Sequence, residues 1–179
     1  MFEKIINIKT QPVIFGDEIS LATFRFENGA PFPPSYLSFC RELGYGRLCD
    51  LFLIYIPLGE HPDSFLLQSE EMKDLFISYI DPPLYAIQEV PGGVELIKNA
   101  VPFARSENGE FLFWDIRNQL PDGEFPIYFT DFSNGISLAG NSIPEFIKNV
   151  TSPDRFKSIL KFYPKPLNNT FEGFKELVW

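Results

Sequence analysis

The chain has 179 residues, 45% of them hydrophobic and 22% charged, which excludes wholesale disorder and is enough to bury a self-sufficient core. Its net charge of −9 excludes nucleic-acid binding through a basic face, because neutralising phosphates takes clustered Lys and Arg. No apolar run approaches the ~18 residues of a spanning helix, the opening MFEKIINIKTQ lacks the apolar stretch of a secretory leader, and the only cysteines, Cys40 and Cys49, make no disulfide scaffold, so a reducing cytoplasm is expected.

In chain order, residues 17–28 read as a short helix capped by Asp17, with Ile19, Ala22, Thr23 and Phe26 on one face and Gly29 closing it. Pro31, Pro33 and Pro34 hold off the next helix until Ser35, which can serve as its N-cap. Tyr36, Phe39, Cys40 and Leu43 then form an apolar stripe that Gly44 ends. A strand is predicted near 48–56 and a helix over 60–80, with Phe65, Met72, Leu75, Phe76 and Tyr79 inward and Glu70, Glu71 and Asp74 to solvent. Asp81, Pro82 and Pro83 terminate it. Residues 84–104 suggest strands around a turn at 91–93, with 93–99 also readable as a helical turn.

From 101 to 140 the pattern is β. Asn108–Gly109 turns one hairpin, 121–123 leads into FPIYFTDF, and 133–135 turns into ISLAG, which together imply an antiparallel meander. Asn141–Ser142 then cap a helix at 143–150, with Pro144 in its first turn and Glu145 in the capping-box place. Two further short helices are predicted near 153–161 and 171–178. The expected fold is α+β: a single domain over 1–179 with its core at about 17–150, a central antiparallel sheet flanked by helices from both chain ends, and a C-terminal helical extension over 151–179. Phe156, Ile159, Leu160, Phe162, Phe171, Phe174, Leu177 and Trp179 are too apolar for a free tail and are expected to dock.

Catalytic patterns are sparse. The one histidine, His61, precedes Pro62 at a helix start and reads as a solvated surface group; no metal or cofactor is expected. Gly92–Gly93 and Gly44-x-Gly46 lack phosphate-loop spacing and are turns. Asp115, Asp122, Glu124 and Asp131 could pair as glycosidase carboxylates, but strand-end and turn acids fit better. A Cys49–His61 nucleophilic pair stays open as a distant hydrolase reading.

Charge is unevenly spread. Residues 60–131 hold 14 acids and 4 bases, whereas the rest holds 10 acids and 11 bases. That block is either a solubility surface or a docking face for a basic partner, and an acidic field would speed encounter.

Three ordered stretches carry a resemblance: PFPPSYLSFCRELGYG (Pro34, Tyr36, Phe39, Gly44), VPFARSENGEFLFWDI (Pro102, Phe103, Ala104, Gly109, Trp114, Asp115) and FPIYFTDF…SLAGNSIPEFIKNV (Pro126, Tyr128, Ser142, Glu145, Phe146). Together they resemble the SUKH superfamily, which includes the fungal cell-wall assembly regulator and many bacterial immunity proteins. The resemblance implies a non-enzymatic protein-binding domain. Its first reading is a cytoplasmic immunity protein that neutralises a toxin, often a nuclease with a basic groove; the alternative is an intracellular adaptor. On the charge pattern, the candidate partner-binding residues are Glu70, Glu71, Asp74, Glu107, Glu110, Asp122 and Glu124. Neither direct nucleic-acid binding nor a membrane role is expected. Tyr36, Phe39, Phe103, Trp114, Tyr128 and Phe146 read as core anchors.

Overall fold

The turn residues set the sheet. In the computed structural model, which describes residues 1–177, eight strands form one sheet. They are β1 (Asn7–Thr10), β2 (Gly46–Leu48), β3 (Phe52–Ile54), β4 (Ala100–Ser106), β5 (Phe111–Asp115), β6 (Ile127–Phe132), β7 (Gly135–Gly140) and β8 (Thr170–Gly173). The spatial order is β1-β8-β2-β3-β4-β5-β6-β7. From β2 to β7 every neighbour is antiparallel and sequential, so the meander predicted over 101–140 forms as β4–β7 and continues back to β2. It does not extend to the chain ends: β8 inserts between β1 and β2, parallel to the first and antiparallel to the second.

The predicted strand at 48–56 is two short strands, because Cys49 and Asp50 both take positive φ (55° and 58°) and turn β2 back as β3. The Asn108–Gly109 turn forms as expected, with Gly109 at φ +82° between β4 and β5.

Six helices accompany the sheet: α1 (Glu18–Thr23), α2 (Pro34–Glu42), α3 (Phe65–Ser78), α4 (Tyr85–Gln88), α5 (Gly93–Lys98) and α6 (Ile143–Thr151). α1 is shorter than predicted and uses a different face. Asp17 caps it by accepting from the Ser20 N–H, yet Leu21 is buried while Ile19 is 74% exposed. The chain leaves the helix at Phe24 because Phe24 and Phe26 must reach the core, where Phe24 stacks on Phe32 at 4.1 Å. α2 carries the predicted stripe, with Tyr36, Phe39, Cys40 and Leu43 all buried. α4 replaces the first of the strands suggested over 84–104, and α5 takes the helical alternative kept open for 93–99; short apolar runs do not distinguish the two periods. α6 is capped as read: Ser142 Oγ accepts from the Glu145 N–H, and Glu145 Oε2 accepts from the Asn141 N–H.

All five residues of β5 are buried, because helices cover it from both sides. Phe111 and Phe113 meet Phe76 of α3, whereas Trp114 meets Tyr36 of α2 at 5.0 Å and stacks on Phe103 at 4.0 Å. Five of the six expected anchors are buried; Tyr128 is half-buried, stacked on Phe113.

The C-terminal segment is not the predicted helical extension. It makes a single 3-10 turn at Phe156–Ser158 and then strand β8. Phe156, Ile159, Leu160 and Phe171 are buried, and Phe174 and Leu177 pack on the core, but Phe162 is 72% exposed, contrary to expectation. Val178 and Trp179 lie outside the described residues.

Candidate functional site

α3 crosses the sheet with Phe65, Met72 and Phe76 inward, which fixes what its outer side presents. Glu70, Glu71 and Asp74 are exposed there, one helical turn apart, and so form one acidic patch on a rigid element. Leu75, expected inward, is 38% exposed on the same helix. Of this set Glu71 has a side-chain partner among the described residues, accepting from Gln68 Nε2 at 3.2 Å.

The other four candidate acids scatter. Glu107 is exposed at the β4–β5 turn and pairs with Arg47 at 2.8 Å. Asp122 is exposed in the β5–β6 connection, at the other end of β5. Glu110 and Glu124 are not surface acids: they are 6% and 7% exposed. Glu110 accepts from the Ser106 and Tyr163 hydroxyls and pins the C-terminal segment to the β4–β5 hairpin. Glu124 accepts from the Ser35 N–H at 2.6 Å and its hydroxyl at 2.8 Å, so it caps α2 from a distance, and burial pushes its carboxyl pKa up. Alternation placed both acids on turns but could not show that a hydroxyl from elsewhere in the chain would cover them. Ser35 therefore does not cap α2 as read; its hydroxyl instead also receives the Ile143 N–H at the start of α6.

Beside α3 lies a groove that the sequence reading did not find. Its floor is a cross-strand row, Glu172–Arg47–Leu53–Arg105–Phe111, in which each residue stands opposite the next across β8, β2, β3, β4 and β5. Paired residues share one sheet face, and Arg47, Leu53, Arg105 and Phe111 of this row, with Leu51 and Phe174, bound a cavity of about 520 Å³. The Arg105 guanidinium sits 5.6 Å over the Tyr55 ring, and burial pushes that phenol's pKa up to about 12. At the neighbouring rim, Tyr45 OH donates to Asp63 at 2.5 Å. The only signal in the sequence was the placing of Arg105 on a strand, with Arg47 just ahead of the strand predicted near 48–56, and a row emerges from that only once the register is known.

The remaining chemistry is structural. His61, expected at the surface, is 2% exposed, and its Nδ1 accepts from the Asp63 N–H at 3.1 Å in the loop entering α3. Cys40 and Cys49 are both buried, and burial raises both thiols, Cys49 to about 12. Burial thus favours the thiol over the thiolate at Cys49, the opposite of the environment that activates a cysteine nucleophile. Asp115, Asp122 and Asp131 each serve a local partner (Arg117 and Asn118, the Glu124 N–H, and Asn134), and Glu124 serves the distant Ser35. Among the described residues no group of three or more His, Cys, Asp or Glu could hold a metal ion, and no helix is long and apolar enough to cross a membrane.

A mostly antiparallel sheet with α3 on one face and α2 and α6 on the other defines an α+β domain. The chain belongs to the SMI1 / KNR4 family (SUKH-1), whose pattern it matches over residues 17–149. No curated protein and no solved structure matches it. The matched span contains β2–β7, α1–α5 and α6 up to its last two residues; β1 and β8 fall outside it.

Proposed function

We propose that this chain is a non-enzymatic protein-binding domain, an immunity protein of the cytoplasm that captures a toxin domain bearing a basic surface. The observation that carries the reading is the exposed carboxylate cluster Glu70–Glu71–Asp74 on a helix anchored by Phe65, Met72 and Phe76. Family membership supports protein binding as the mode of action. A rigid acidic patch attracts a cationic groove from a distance, lowers the entropy lost on contact, and raises the association rate more than the affinity. Glu107 and Asp122 extend the negative field at the two ends of β5, and Glu110 and Glu124 have no part in it, because both are buried.

The test is retention of partners from native lysate on immobilised protein, wild type beside Glu70→Lys/Glu71→Lys/Asp74→Lys. A dominant partner with a basic, nuclease-like domain, lost as salt rises and lost on the triple variant, is the expected result. Equal retention by both proteins at all salt concentrations overturns the acidic-face mechanism. Several partners without a toxin domain favour the adaptor reading instead.

A further inference from the structure

Three Asn–Gly pairs stand in turns: Asn28–Gly29, Asn108–Gly109 and Asn134–Gly135. Glycine leaves its own backbone nitrogen unshielded, so an Asn–Gly pair is the sequence most open to attack of that nitrogen on the asparagine side chain. The attack needs a free side-chain amide and a loosely held glycine N–H, and the three sites differ sharply in both.

Asn28 is locked at both ends of its amide. Its Nδ2 donates to the Ile116 carbonyl at 2.6 Å, its Oδ1 accepts from the Ala30 N–H at 2.9 Å, and the Gly29 N–H is held on Phe26 O at 2.8 Å. Asn134 is clamped by Asp131, which takes its Nδ2 at 2.6 Å and its backbone N–H at 2.8 Å, and Gly135 is buried at the start of β7. Asn108 is exposed at the tip of the β4–β5 hairpin. Its backbone N–H donates to Ser106 Oγ at 3.1 Å, but among the described residues its Nδ2 reaches only Tyr163 OH, at 3.3 Å, and the Gly109 N–H reaches only Ser106 O, at 3.3 Å.

We propose that Asn108 is a built-in deamidation site that adds a negative charge to this hairpin as the protein ages. The Gly109 nitrogen attacks Asn108 Cγ, forming an N–Cγ bond as the Cγ–Nδ2 bond breaks. Nδ2 leaves as ammonia with the former Gly109 amide proton, giving a succinimide. Water then opens the ring at Cγ to yield aspartate, or at the backbone carbonyl to yield isoaspartate; no electrons are gained or lost.

The position gives the modification a consequence. The new carboxylate stands next to Glu107, and it replaces the amide that faces the Tyr163 hydroxyl, the same hydroxyl that donates to the buried Glu110. A second anion beside that carboxylate weakens the tether that holds 156–163 on the hairpin. An isoaspartyl link adds a backbone carbon to a tight turn and disturbs the β4–β5 end further. The inference is independent of the toxin-binding reading, since it concerns chain chemistry alone.

The experiment is incubation of the full chain at mildly alkaline pH, with ammonia measured and tryptic peptides mapped for aspartate and isoaspartate over time. Asn108 is expected to convert at least about fivefold faster than Asn28 or Asn134, because each of those must first release short hydrogen bonds. Asn108→Gln, at an exposed tip, is expected to remove most of the ammonia released and the earliest acidic species on anion exchange. Conversion of Asn28 or Asn134 first, equal rates at all three, or unchanged ammonia release from Asn108→Gln overturns the proposal. Mapping the protein unfolded in urea separates sequence from structure: there the three rates converge if the fold sets the order, and an order that persists in urea also overturns it.

Discussion

Asp50 stands where three chain segments meet. Its carboxylate accepts from Lys9 of β1, from Asn168, and from Thr170 of β8, all at 2.9 Å or less. Partial burial pushes its pKa up, but the bonds to Lys9, Asn168 and Thr170 outweigh this and hold it near 2. A depressed carboxylate stabilises the fold above its unfolded pKa and loses that contribution as pH falls through the folded one. Asp50→Asn is therefore expected to cost about 1 kcal/mol at neutral pH, after allowing for partial exposure, and to lose less stability than wild type between about pH 4 and pH 2. Urea melts at a series of pH values check it, and parallel curves would contradict it. Gly44 makes a different demand. It follows α2 at φ +67°, donates its N–H to Phe39 O, and a Cβ there would lie 2.1 Å from the Ile14 carbonyl oxygen. Gly44→Ala is expected to destabilise by at least about 2 kcal/mol, read from the same melts, because the left-handed backbone and the clash with main chain both oppose it.

At the level of elements, β8 has the largest consequence for the fold. It completes the pairing of β2 and joins the two ends of the chain, and its Phe171 is fully buried with its ring 5.7 Å from Phe39 of α2. Without it β2 would be an unprotected edge, the arrangement that invites pairing with other chains. Phe171→Ala is expected to cost about 3–5 kcal/mol in chemical denaturation and to raise aggregation on refolding. A loss below 1 kcal/mol would mean that the strand is peripheral. The apolar residues of this tail were legible in the sequence, but its form was not. A four-residue strand takes its hydrogen bonds from β1 and β2, more than a hundred residues away, so no local period announces it. α4 and α5 are the converse case: segments of four and six residues whose helical state depends on what they pack against.

For the whole molecule, burial decides which of the candidate acids carry charge at the surface. Seven of the 14 acids over 60–131 are candidates, and they divide into the exposed trio of α3, the separated Glu107 and Asp122, and the buried Glu110 and Glu124, each held by hydroxyls. A partner steered by this field responds to the exposed carboxylates alone. With a captured partner in hand, charge reversal of Glu70, Glu71 and Asp74 is expected to lower the association rate by about tenfold or more at low salt and to flatten its salt dependence. Stopped-flow mixing at several ionic strengths measures both, and a rate that does not change leaves the patch as a solubility surface.

Local patterning determined the α+β class, the β4–β7 meander, the apolar stripe of α2 and the capping of α6, because these depend on period, turn chemistry and caps within a few residues. The acidic face of α3 was legible for the same reason: once Phe65, Met72 and Phe76 point inward, Glu70, Glu71 and Asp74 must point out. Only the tertiary structure decided the place of β8, the burial of His61, Glu110 and Glu124, and the Arg47–Leu53–Arg105–Phe111 row. Each of these depends on which distant segment covers a residue or stands opposite it across a strand. That follows from long-range register and packing, which no window of the sequence contains.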